Sequence, residues 1–332
     1  MDYLKRHYDN MKTLFYSPHL GVRGTEVALF DYAYYNQAIL NNESIICYSK
    51  NHFRNDSTAI KRFKDHFKVL EVEDHKMELV EQKIIEEKAD YFYMIKGGKN
   101  DGFYSKVAKS LIHCTACQND PHGDVYAYVS QFMTDFCSKG ELPFVPHIID
   151  LPEVEGDLRK EYGIPEDAVV FGRTGGEDTF NLPFGPPVVE YIAEKFPNYF
   201  FLLQNTPKFC NLPNVIHIPT TSDINFKVKF INTCDAMLHC RHEGESFGIA
   251  CGEFSIKNKP IITWNGSQER NHIMVLQDNG IYYNNSQQLC YILENFKELK
   301  KFKEDNSTAN WNCYQKFNPK EVMKKFKEVF YE

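Results

Sequence analysis

Two glutamates, Glu245 and Glu253, stand eight positions apart, and Ser246, Phe247 and Gly248 directly follow the first. A strand ending near His239 and a helix starting near Phe247 would leave Glu245 in the loop before the helix and Glu253 about two turns inside it. Free amides at such a helix start, together with the positive end of the dipole, hold phosphate oxygens. A carboxylate accepts hydrogen bonds from a pair of hydroxyls, so two carboxylates suit two sugar rings. The same spacing also fits a plain strand-to-helix turn with solvent-facing glutamates.

Three further places carry polar groups just after expected strands. Arg173 is followed by Thr174, Gly175 and Gly176. An arginine there can reach a diphosphate with paired hydrogen bonds, Thr174 and the glycine amides assisting, or can be a surface-turn residue. Gly21 and Gly24 flank Arg23 ahead of an expected helix, where glycine permits close backbone approach. Lys96, Lys99 and Asp101 form a polar loop, and His113 and His122 lie close to later strand ends.

Two other signals carry less. Cys114 and Cys117 form a Cys-x-x-Cys, but a zinc site needs a second pair and Cys137 has no near partner in sequence. Ile60, Phe63 and Phe67 interleave with Lys61, Arg62, Lys64 and Lys68 at helical spacing. That pattern suits a packed helix with a solvated face, and it also offers weak peripheral contact with an anionic membrane surface. No Asp-x-Asp occurs, so no metal site is expected.

The elements that would position these groups follow from the apolar pattern. Short β-type runs fall at residues 13–17, 44–48, 68–71, 91–95, 110–113 and 125–129, with helical patterns from 25 to 40 and 77 to 88. A proline-bearing stretch at 142–152 reads as an extended connection. The alternation restarts at 168–172 and continues at 199–203, 215–218, 236–239, 260–263 and 281–283. Such alternation makes α/β units with doubly wound parallel sheets, which bind ligands at the carboxyl ends of their strands. In the tail, Asn318 and Pro319 start a helix whose stripe is Val322, Phe326, Val329 and Phe330.

Length and composition agree with this plan. The chain has 332 residues and a net charge of −7, with 42% hydrophobic residues. That length suits two domains, and the acidic balance argues against a nucleic-acid coat. No apolar run reaches the ~18 residues of a membrane span. The first residues lack a signal-peptide core, so the ten cysteines are expected to be reduced in a cytoplasm.

The Glu245-x7-Glu253 pair, with Phe247 and Gly248 between and the strand at 259–263 next, resembles the retaining GT-B glycosyltransferases of the family 4 type. The match is specific over 235–263 and looser elsewhere. It implies two Rossmann-like doubly wound domains facing across a cleft. Residues 1–150 would form the acceptor side and 151–315 the donor side, with 316–332 a helix packing back on the first domain. It implies that Glu245 contacts the donor sugar, Glu253 the ribose and Arg173 the diphosphate, with the loop of Gly21, Arg23 and Gly24 facing the donor phosphates. The lysine that the family carries some six residues after the arginine is missing; Glu177, Asp178 and Thr179 stand there. Arg23 would supply that charge. The histidine that related enzymes place in the loop at 96–101 is also missing, which leaves Asp101 and His113 as candidates to touch substrate. The implied reaction is metal-independent transfer, with retention, from a UDP-, GDP- or ADP-sugar to a glycan or other acceptor, without a cofactor. Its rivals are a nucleotide-sugar epimerase and a non-catalytic sugar- or nucleotide-binding protein.

Overall fold

The computed structural model describes residues 10–306 and 310–332. The chain divides into two compact units, one running to Ile148 and including Phe317–Glu332, the other Ile149–Lys316. Each is built on a six-stranded parallel sheet.

In the first unit the strands are β1 (Lys12–Ser17), β2 (Glu43–Ser49), β3 (Lys68–Val72), β4 (Tyr91–Lys96), β5 (Lys109–Cys114) and β6 (Val125–Tyr128), in the order β3-β2-β1-β4-β5-β6. Helices α1 (Gly24–Ala38), α2 (Ser57–Lys64), α3 (Met77–Glu87) and α4 (Gln131–Ser138) connect and flank them. The interiors of β1, β2 and β4 are buried throughout, which explains their unbroken apolar runs: a parallel sheet is covered on both faces. After α4 the chain extends along β6, where the Tyr128 amide donates to the Pro143 carbonyl at 2.9 Å. The start of the expected connection is thus packed into this unit, with Val145, His147 and Ile148 buried.

Two sequence features resolve here. The stripe on α2 faces inward: the Phe30 ring meets Phe63 at 5.2 Å and Phe67 at 5.3 Å, and the Arg62 guanidinium covers Phe30 at 3.7 Å. Those two aromatic rings are engaged in packing within the unit. Cys137 does have a partner. It is disulfide-bonded to Cys117 with Cα atoms 5.4 Å apart, because α4 returns alongside the loop that follows β5. Cys114 is buried apart from that bond, its thiol donating to the Ala116 carbonyl.

The C-terminal segment belongs to this unit. Asn318 caps α12 (Pro319–Phe326) by accepting from the Glu321 amide. The chain then widens into a π-helical turn at Lys327–Tyr331. Phe326 and Phe330 pack on Tyr93 at 5.4 and 5.6 Å. The widened turn leaves Val329 half-buried and brings Tyr331 inside, where its hydroxyl accepts from Thr13 and donates to Asn36.

The second unit repeats the plan. After the short helix α5 (Arg159–Tyr162) come β7 (Val169–Arg173), α6 (Gly185–Lys195), β8 (Tyr199–Gln204), β9 (Val215–Ile218), α7 (Ile224–Thr233) and β10 (Ala236–His239). There follow β11 (Gly244–Glu245), α8 (Ile249–Ile256), β12 (Ile261–Trp264), β13 (Glu269–Arg270), α9 (Asn271–Leu276), β14 (Ile281–Tyr283), α10 (Ser286–Glu294) and α11 (Phe296–Asn306). The sheet order is β14-β12-β10-β7-β8-β9, so its direction of winding reverses between β7 and β10. At the carboxyl edge, the place where such sheets bind ligands, the segments that follow these two strands meet, with Asn181 donating to Glu243 and accepting from the His242 amide. Phe171, Phe201, Leu238, Ile262 and Trp311 are among the residues of the core beneath.

Candidate functional site

Arg173 ends β7 and His239 ends β10, so the two residues border the reversal point of the second sheet. Beyond His239 the chain turns through Arg241 and Glu243 into β11, which pairs with β13. Gly244 makes that pairing feasible. Its φ is +82°, and a Cβ there would lie 2.1 Å from the Glu269 carbonyl oxygen, so no other residue fits. Gly248, at φ +92°, then turns the chain into α8. The helix starts two residues later than the sequence suggested, because a left-handed residue cannot belong to it. Glu253 accordingly lies about one turn inside rather than two.

Glu245 is held on both sides. Its Oε1 accepts from His239 Nε2 at 3.1 Å and its Oε2 from Arg241 Nη1 at 3.1 Å. Burial by itself would raise the carboxyl pKa, but the His239 hydrogen bond and the Arg241 charge outweigh it and bring it to about 2. A fixed acceptor, charged at neutral pH, results, with its side chain still 19% exposed. Phe247 is buried, and its carbonyl accepts from Asn271 and Tyr314. Glu253, 6% exposed, accepts from Lys227 of α7 at 2.6 Å. Ser246 continues the loop between Glu245 and the helix start.

Arg173 does not reach outward as the sequence suggested. It is 3% exposed, and Nη1 donates to the carbonyls of Gln204 and Asn205 and to Thr206 Oγ1 at 2.7–2.9 Å. Nη2 donates to the Gly176 carbonyl and to Thr179 Oγ1. Burial lowers this guanidinium to about 10. Its physical task here is to tie the loop after β7 to the loop after β8. Thr174 reinforces the tie by donating to Gln204. Between those loops lies a cavity of about 260 Å³ lined by Asp178, Phe180, Thr206, Lys208 and Phe209 among others. Lys208 is exposed there, so a lysine from the neighbouring loop stands where the sequence offered none after Arg173.

The residues proposed from the first unit do not form one cluster. Arg23 is exposed at the start of α1, with Gly24 the first helical residue. Gly21 lies beside Glu26 and His19: a Cβ on it would be 3.7 Å from Glu26 Oε2 and 3.4 Å from the His19 ring. Glu26 is buried and its pKa raised by that burial, while burial and nearby positive groups lower His19 to about 4. Asp101 is ion-paired with Lys96, which also meets His122 at 3.2 Å. His113 requires a correction. It is fully buried, its Nδ1 bonded to Tyr93 Oη at 2.7 Å and its Nε2 to the Val145 carbonyl at 2.9 Å. Phe330 packs on its ring at 5.4 Å, and burial takes its pKa down to about 4. With both nitrogens engaged inside the core, His113 is a structural residue and not a substrate contact.

Sequence reading missed His239, Arg241, Thr263, His272, Lys208 and Lys227. Only Arg241, four residues before Glu245, was recoverable from spacing. The others meet the site through sheet register or from separate helices and loops. Among the described residues no group of three His, Cys, Asp or Glu side chains has the arrangement of a metal site. Among the same residues no helix is long and apolar enough to cross a membrane.

No protein-family model matches the chain, and no curated protein matches it. Among solved structures, a glycosyltransferase from Rickettsia africae ESF-5 is similar over 97% of this chain and 98% of its own, at 15% identity and a TM-score of 0.71. Anabaena Alr3699/HepE, solved in complex with UDP and glucose, is similar over 97% and 100% of the two chains, at 14% identity and a TM-score of 0.72. The UDP-GlcNAc 2-epimerase from Neisseria meningitidis, bound to UDP-GlcNAc, is similar over 96% and 99%, at 12% identity and a TM-score of 0.63. At these identities the likeness is one of fold: the chain has the GT-B fold, two α/β units each carrying a six-stranded parallel sheet.

Proposed function

We propose that the chain is a metal-independent glycosyltransferase of the family 4 type, which moves a sugar from a nucleoside-diphosphate sugar to an acceptor hydroxyl with retention of configuration. The observation that carries this reading is Glu245: an ionised carboxylate at the reversal point of the second sheet, with each oxygen held by one donor. A carboxylate has about four acceptor positions, so two remain for a vicinal pair of sugar hydroxyls. Glu253 would take the ribose hydroxyls, with Lys227 holding the carboxylate in place.

The start of α8, which Gly248 opens, would face the diphosphate, while Ser246, whose amide meets the Glu269 carboxylate, and the buried Phe247 shape the turn that leads into it. Lys208 would add charge, while Arg173 and Thr174 keep the phosphate-side loops in shape. In the reaction the bond from the anomeric carbon to the diphosphate breaks and a bond to the acceptor oxygen forms on the same face. The acceptor proton passes to the departing phosphate, whose growing charge the helix-start amides and Lys208 stabilise. The UDP-glucose and UDP complexes of similar folds support UDP-sugars as the first donors to try.

Incubation with a panel of UDP-, GDP- and ADP-sugars tests this, with slow donor hydrolysis as the readout. One nucleotide sugar should be turned over, and EDTA should leave the rate unchanged. Loss of turnover in EDTA with recovery on Mn²⁺ would overturn metal independence. The likeness to an epimerase supports a second reading, in which donor alone is converted to an isomeric nucleotide sugar. Chromatography of the donor after incubation without acceptor separates the two.

A further inference from the structure

Three buried side chains that the proposed reaction does not consume stand behind Glu245. His239 and Thr263 are register partners on β10 and β12, which sets imidazole and hydroxyl side by side with Nδ1 and Oγ1 2.8 Å apart. His272, in the first turn of α9, approaches the same hydroxyl with Nε2 at 3.1 Å. His239 is 5% exposed, Thr263 and His272 not at all.

The direction of each hydrogen bond follows from the next. The Glu245 carboxylate can only accept, so His239 Nε2 carries a proton and donates it. Burial pushes His272 well below its ordinary value, so that ring is neutral and has a single N–H. Its Nδ1 is buried without a hydrogen-bond partner. Orphaned N–H groups are rarer in protein interiors than orphaned acceptors, which assigns the His272 proton to Nε2 and its donation to Thr263. The Thr263 hydroxyl then gives its one proton to His239 Nδ1. The series runs His272 to Thr263 to His239 to Glu245, each donor fixing the orientation of the next.

We propose that His239, oriented through Thr263 and His272, is a positioning residue that sets the plane of the Glu245 carboxylate for the hydroxyl pair of the transferred sugar. This rests on the reading of Glu245 as the ligand of that sugar. Arg241, on the other oxygen, has a side chain 29% exposed and can follow a ligand, whereas the histidine arm is internal and rigid. Cutting the series leaves the carboxylate charge intact but lets its plane turn. The loss therefore falls on kcat, with the KM for the donor, governed by the nucleotide, little changed.

The test compares Thr263→Val with Thr263→Ser, and His239→Gln with His239→Asn, beside Glu245→Ala. Rates of donor hydrolysis are measured with the nucleotide sugar that the wild type turns over. Thr263→Val is expected to lose roughly tenfold in kcat at unchanged KM, with Tm lowered by the two buried ring nitrogens it leaves unpaired, and Thr263→Ser to stay near wild type in both. His239→Gln, whose amide nitrogen stands near the place of Nε2, should retain more activity than His239→Asn. Equal losses in Thr263→Val and Thr263→Ser, or none in Thr263→Val, overturn the proposal. Undiminished turnover by Glu245→Ala would instead overturn the reading of Glu245. Imidazole nitrogen NMR gives a readout free of turnover, with signals assigned by their loss in His239→Gln and His272→Gln. Both rings should be in the Nε2–H form, and a Nδ1–H His272 overturns the series.

Discussion

A carboxylate held near a pKa of 2 is charged at neutral pH, so Glu245 is suited to accept hydrogen bonds and unsuited to deliver a proton. Glu245→Gln places an NH₂ or a neutral oxygen opposite His239 Nε2 and Arg241, which disturbs both bonds at once. Donor turnover should fall by about 10²–10³-fold in kcat, a loss typical of removing one preorganised electrostatic contact. Glu253→Gln should act differently. It weakens the bond to Lys227 on a side chain assigned to the ribose, so the donor KM should rise several-fold with kcat near wild type. A kcat loss of similar size in both variants would contradict the division of roles. At this scale the sequence revealed the two glutamates, because their spacing is local. It concealed the side chains that hold them, because His239 finds Thr263 through strand register and His272 through a separate helix. His113 misled for the same reason. Its place on β5 was legible, but the ring of Phe330 that covers it arrives from the far end of the chain.

Strands and helices were read more faithfully than side-chain roles, since the central strands are apolar runs buried on both faces. What escaped notice were β11 and its partner β13, each two residues long and paired through Gly244 rather than by any apolar pattern. The importance of that pairing can be measured. Gly244→Ala must either relax a φ of +82° or push a methyl into the Glu269 carbonyl, and both unseat Glu245. A loss of about 2–4 kcal/mol is expected, or a fall in Tm of roughly 5–10 °C, together with donor turnover. Gly156→Ala is the control. Its φ is +83° but nothing lies within 4 Å of the added methyl, so only the backbone cost of about 1 kcal/mol should appear. If the two variants melt together, close strand approach is not what Gly244 supplies. The disulfide between Cys117 and Cys137 was hidden in a comparable way, since the two stand twenty positions apart and meet only through the return of α4.

Over the whole molecule, buried histidines make stability depend on pH, and unequally in the two units. In the first unit His19 and His113 are lowered to about 4, and His75 and His147 are lowered too, chiefly by burial. In the second unit His217 and His272 are lowered. Unfolding frees each ring to titrate near ~6.5, so below that pH the unfolded chain binds protons that the folded chain refuses, and stability falls as pH falls. A histidine moved from ~6.5 to about 4 forfeits on the order of 2 kcal/mol between pH 8 and pH 5. Glu26 opposes this in the first unit: its raised pKa favours the folded state toward lower pH, but it is one group against four rings. Glu245 contributes only below the ordinary glutamate range, where stability drains as pH approaches 2. Acid should therefore loosen the first unit before the second. The sequence supplies the probe, because its two tryptophans, Trp264 and Trp311, both lie in the second unit. Urea titrations followed by tryptophan fluorescence report that unit, while far-ultraviolet circular dichroism reports both. Between pH 7 and pH 5 the dichroism midpoint should move to lower urea than the fluorescence midpoint, and His113→Gln should narrow the gap while lowering stability at pH 7. Midpoints that fall together at every pH would mean that the units unfold as one or that the buried rings do not govern the response.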